Sequence, residues 1–145
     1  MKKIGFIGAG NMATAIIKGL MAQNDGKADF INVFDVSEEK CAAMKNMGTN
    51  VMTSADEIAK NSSIVVLAVK PQNYPEVLES LKNSITTAKT VVSIAAGISI
   101  AYVRKGLECD CPVVRVMPNT PLLLKKGATA PVSYTHLRAH ETLMN

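Results

Sequence analysis

The chain has 145 residues, which suits one domain at the usual scale of about 150 residues. Apolar types make up 48% and charged types 19%, a balance that supports a packed core and excludes a disordered chain. The net charge of +4 is a mild excess, and with aromatics at 4% and no Trp the composition speaks against a protein that stacks on nucleic-acid bases. No apolar run approaches the roughly 18 residues of a membrane span, so no membrane partner is expected. Glycines interrupt the apolar stretch after Lys2 and Lys3, so no signal peptide is expected either. Cys41, Cys109 and Cys111 form an odd, sparse set that suits reduced thiols and a cytoplasmic location.

Residues 2–8 (KKIGFIG) read as a short strand ending in glycine. Residues 11–23 come next as a helix, with Met12, Ile16 and Leu20, and Ala13 and Ile17, at helical spacing. Residues 30–34 (FINVF) read as a second strand. Ser37 is a candidate cap for the next helix, with Glu38 and Glu39 in its first turn and Gly48 past its end. Val51 and Met52 suggest a brief third strand, and Ser54 caps a short helix through about Lys60. Residues 64–69 (IVVLAV) are continuously apolar, as expected of a parallel strand covered on both faces. A helix from Pro75 to about Leu81, a strand at 90–96, a helix at 99–107 and a strand at 112–117 complete the pattern. Met44 and Met47 read as a helix face that fills core. Strict β-α alternation with short connections implies a doubly wound, Rossmann-type parallel sheet with helices on both faces.

The first strand runs into Gly8-Ala9-Gly10-Asn11-Met12-Ala13, a GxGxxA pattern. Gly8 permits a tight turn, Gly10 leaves the backbone open to a pyrophosphate, and Ala13 lets the helix pack closely on the sheet. The helix N-terminus then offers unpaired amides and a positive dipole end to phosphates. The alternative is a tight turn with no ligand. Placement favours the ligand: the motif sits at the end of the first strand, opens a helix, and precedes Asp35 near the expected offset of roughly 20 residues. The Asp35 carboxylate could accept both hydroxyls of an adenosine ribose, or it could be a solvated strand-end residue. An acid there leans toward NADH, because a 2′-phosphate would meet like charge. The cofactor assignment is NADPH or NADH.

GFIGAGNMA (5–13), LAVKPQ (67–72), VVSIAAGIS (91–99), RVMPNTP (115–121) and GATA (127–130) occur in that order. Together they resemble the N-terminal dinucleotide-binding domain of the pyrroline-5-carboxylate reductase family over about residues 3–130. The resemblance implies NAD(P)H-dependent reduction of the C=N bond of 1-pyrroline-5-carboxylate to proline. It also implies a homo-oligomeric parent protein. Implied cofactor-binding residues are Ile7, Gly8, Ala9, Gly10, Asn11, Met12, Asp35, Ala68, Val69, Lys70, Pro71, Gln72, Ala95 and Ala96. Asn119 and Thr120 fall on the substrate side. Pro71 restricts Lys70 to extended backbone, so Lys70 reads as a backbone contact with its ammonium near phosphate rather than as a catalytic group. No catalytic proton donor is assigned. Rival readings keep the fold and change the substrate (a prephenate dehydrogenase, a β-hydroxyacid dehydrogenase, a deazaflavin reductase) or drop catalysis for a dinucleotide-binding module.

The resemblance implies that the family continues into an all-helical domain, which this chain is expected to lack. Residues 131–145 depart from the family pattern and resemble translated sequencing-adapter sequence joined to a truncated reading frame. The domain is therefore expected to span 1–130, with a non-family tail after it. His136 and His140 read as a chance pair, and Cys109-Asp110-Cys111 as a loop with reduced thiols, so no metal is expected. Lys2-Lys3 and Lys125-Lys126 read as solvated charges.

Overall fold

A computed structural model describes residues 2–116 and 132–134. Strands β1 (Ile4–Ile7), β2 (Ile31–Phe34), β3 (Asn50–Val51), β4 (Ile64–Leu67), β5 (Thr90–Ser93), β6 (Val113–Val116) and β7 (Val132–Tyr134) form one sheet in the order β3-β2-β1-β4-β5-β6-β7. The first six are parallel, and β7 pairs antiparallel with β6. Helices α1 (Asn11–Ala22), α2 (Glu38–Asn46), α3 (Ala55–Asn61), α4 (Tyr74–Leu81) and α5 (Ile100–Leu107) link the parallel strands. This is the expected Rossmann-type sheet, with each element within a few residues of its reading from sequence. Strand β7 is the exception: it lies past residue 130, where the sequence predicts no strand.

The alternation of strand side chains divides the core. Ile7, Val65, Leu67, Val91 and Val113 point to one face, where Ile58 of α3, Leu78 of α4 and Val103 of α5 cover them. Phe6, Val33 and Val66 point to the other, against Ala13 and Ile17 of α1 and Met44 of α2. Burial on both faces is why these strands read as unbroken apolar runs. The helix starts obey local chemistry. The Ser37 hydroxyl accepts from the Lys40 amide, Ser54 from Glu57 and Ser99 from Tyr102, each closing one orphan donor of a first turn. Asn32 is the polar exception in the sheet. Its buried amide donates to the Asn61 carbonyl and the Ser62 hydroxyl, each at 3.0 Å, and accepts from Asn50 at 3.1 Å.

The strand order sets the position of the crevice. The chain moves outward from β1 to β3, then crosses back to place β4 beside β1. Connections leaving β1 and β4 therefore diverge to opposite faces and open a gap at their carboxyl ends. Among the described residues no helix is long and apolar enough to cross a membrane.

Candidate dinucleotide site

The gap is a cavity of about 680 Å³. That is within the range of small-molecule sites, roughly 300–1,000 Å³. Its wall is built from the loops that leave β1, β2 and β4. Ile7, Gly8 and Gly10 come from the first of them, Asp35 from the second, and Ala68, Val69, Lys70 and Gln72 from the third.

Gly8 has φ +106, and a Cβ there would lie 2.6 Å from the Ala68 carbonyl oxygen. The turn is wedged between its neighbours: the Gly8 amide donates to Phe34 O and the Ala68 amide to Ile7 O, both at 2.8 Å. No other residue fits at that position without moving backbone. Gly10 differs. A Cβ there would meet no atom within 4 Å, so open space lies above this backbone. Gly10 is also the N-cap of α1, with neither a capping side chain nor an acid in the first turn. The usual serine, asparagine or aspartate cap is missing, and the Asn11, Met12 and Ala13 amides lie at the positive end of the helix dipole. An anion satisfies that arrangement. Ala13 is buried beneath, as the close helix–sheet contact requires.

The third loop carries Lys70 with φ −69 and ψ 151, the extended backbone that Pro71 imposes. Pro71 itself opens a short 3₁₀ turn and leads into α4. Under this loop, the fully buried Tyr74 hydroxyl donates to Leu67 O at 3.1 Å and lies 2.9 Å from Ser93 Oγ. It ties the ends of β4 and β5 to the start of α4. Burial pushes the Tyr74 hydroxyl pKa above its ordinary value, so it stays protonated as a structural donor.

The other expected residues fall elsewhere. Ala9 is buried and its amide is already engaged, donating to Asp35 Oδ2 at 2.7 Å. Asn11 and Met12 contribute first-turn backbone rather than wall. Ala95 is buried in the core at the end of β5 and Ala96 is exposed beside it, on the same sheet edge but outside the cavity wall. Asn119, Thr120, His136, His140, Lys125 and Lys126 lie outside the described residues. Sequence reading also missed part of the wall. Val36 is 89% exposed and lines the cavity together with Lys40, Ser54 and Ala55. A bare valine beside an acid at a strand end is the signal that could have marked it. Among the described residues no cluster of His, Cys, Asp and Glu could hold a metal ion, and Cys41, Cys109 and Cys111 are free thiols.

Fold and cavity together define a dinucleotide-binding domain of the Rossmann type. The family model described as "NADP oxidoreductase coenzyme F420-dependent" matches residues 3–97, and the chain belongs to that family. The chain is 41% identical over 130 residues to a pyrroline-5-carboxylate reductase of Escherichia coli (strain K12), covering 89% of this chain and 48% of that protein. Among solved structures it is similar to a pyrroline-5-carboxylate reductase from Coxiella burnetii, with TM-score 0.77, 37% identity, and 85% of this chain and 46% of that one covered. It is also similar to a Plasmodium falciparum pyrroline carboxylate reductase with NADP bound, with TM-score 0.75, 31% identity, and 92% and 47% covered. The resemblance carried by the five motifs is thus borne out. The chain spans about half the length of the curated relatives it matches.

Proposed function

We propose that this chain is the cofactor-binding part of an NAD(P)H-dependent oxidoreductase that reduces 1-pyrroline-5-carboxylate to proline. The observation that carries the reading is the pairing at one sheet edge of a glycine that cannot bear a Cβ (Gly8) with one that faces open space (Gly10) at an uncapped helix start. Similarity to pyrroline-5-carboxylate reductases supports the substrate. The residues fit the implied cofactor: the cradle over Gly10 takes the diphosphate, and Val36, Ser54 and Ala55 bound the adenosine end. Ala68, Val69 and Gln72 line the route toward the ends of β4 and β5. When bound, the reduced nicotinamide supplies the hydride. The chain's own contribution is to position and desolvate. Lys70 and Lys40, both exposed on the cavity wall, add positive charge where phosphates would lie.

In this reading residues 1–130 form the domain and 131–145 are a tail of separate origin. The nucleotide sequence across codon 130 tests that boundary. By the same resemblance Asn119 and Thr120 are assigned to the substrate side, further substrate contacts to the part of the relatives that this chain does not span, and the parent protein is a cytoplasmic homo-oligomer.

Titrating the purified chain with NADPH and NADH, monitored by nicotinamide fluorescence, tests the cofactor site. Saturable binding is expected, and Gly10→Asp should weaken it at least about a hundredfold, because a carboxylate would meet the diphosphate. Undiminished affinity in that variant would overturn the glycine-turn argument. Proline formation is expected only in the longer parent protein.

A further inference from the structure

Both oxygens of the Asp35 carboxylate already hold a backbone N–H. Strands β1 and β2 run parallel in a register that pairs Ile7 with Phe34, so the first residue past β2 lands beside the turn that leaves β1. Asp35 Oδ2 accepts from the Ala9 amide at 2.7 Å, and Oδ1 accepts from the Ser37 amide at 2.8 Å. Cys41 Sγ, one turn into α2, donates to the Asp35 carbonyl at 3.1 Å and holds its backbone from behind. The side chain thus bridges two loops, 26 positions apart at the Ala9 end. Both oxygens take short, charge-assisted bonds of the strong class. Ala9 is 5% exposed, so water is a poor substitute partner for its amide.

We propose that Asp35 is a positioning residue, a strut that holds the glycine turn by the Ala9 amide, and not the acceptor of the ribose hydroxyls. Its effect on ligand binding rests on the dinucleotide reading above; the strut itself belongs to the ligand-free chain. With Oδ2 turned inward to Ala9, the turn keeps Gly10 and the α1 amides aimed at the cavity. The carboxylate charge is partly balanced by two N–H dipoles, which blunts the like-charge objection to a 2′-phosphate. An acid at this place then selects for a shaped turn rather than for NADH over NADPH.

Two experiments on the full 145-residue chain decide this. In the wild type, NMR should detect a scalar coupling across the hydrogen bond between the Ala9 nitrogen and the Asp35 carboxylate carbon. Its absence overturns the proposal without any variant. In Asp35→Asn, whose amide can accept only one of the two N–H groups, Ala9 amide exchange should accelerate about tenfold or more while Ile17 and Val33 stay protected. Affinities for ADP and for 2′,3′-dideoxy-ADP should then change by the same factor. A ribose acceptor predicts the reverse: unchanged Ala9 exchange, and a loss confined to ADP. If the wild-type chain binds neither nucleotide, the dinucleotide reading falls, and the coupling and the exchange rate still decide the strut.

Discussion

Cys111 has no exposed surface, and its thiol is pushed up from 9.0 to about 12, chiefly by burial and then by the neighbouring Cys109. Proton counting gives the sign of the consequence. Between these two values the unfolded chain loses the thiol proton while the folded chain keeps it, so stability falls as pH rises from about 9 toward 12. Cys111→Ala should show a shallower alkaline decline in thermal unfolding than the wild type. Parallel slopes would mean that the thiol is not titrating in that window. The same burial makes Cys111 the slowest of the three cysteines toward a thiol reagent in the native state, with the half-buried Cys41 faster. Asp35 is legible only in part: its type and spacing read as a ribose acceptor, but its partner is hidden from sequence. The bond to Ala9 depends on the parallel register of β1 and β2, which no local pattern contains.

At the scale of elements, packing turns on small residues that propensity undervalues. Gly106 lies inside α5, where alanine would ordinarily gain about 1 kcal/mol of helix propensity. Here an added Cβ would stand 2.5 Å from Leu78 Cδ1 and 3.1 Å from Leu78 Cβ, and Leu78 is fully buried in α4. Overpacking of this kind costs about 1–3 kcal/mol, so Gly106→Ala should destabilise by about 1–2 kcal/mol in urea unfolding. A stabilised variant would show that the two helices can part cheaply. The parallel strands, their linking helices and the serine caps are legible because each has a local cause: apolar runs for strands buried on both faces, a hydroxyl before an acidic first turn for α2 and α3. Strand β7 is not legible. Three residues in a polar stretch carry no period, and only the open edge of β6 recruits them. Val36 and Lys40 escape for a similar reason. The acid before Val36 is the one local cue; both residues reach the cavity because α2 starts just after β2 ends.

For the whole molecule, β7 has a role that composition does not announce. It runs against β6 from Val114–Tyr134 to Val116–Val132 and covers one border of the sheet. An uncovered border offers unpaired backbone groups to another chain. Deleting residues 131–145 should therefore produce concentration-dependent association in sedimentation velocity, with the full chain as reference. Equal sedimentation of the two would show that β6 needs no cover. The opposite border ends in β3, only two residues long, which presents little to pair with.

The central place of β1 has a consequence for synthesis. Its flanks are β2 on one side and β4 on the other, and β4 closes only when Leu67 is available. Strand β1 thus leaves the ribosome before either flank and waits until residue 67 for its second neighbour. Over that interval Ile4–Ile7 exposes a sticky, half-matched ribbon, and a nascent polypeptide stalled near Val51 is the species on which chaperones should be found.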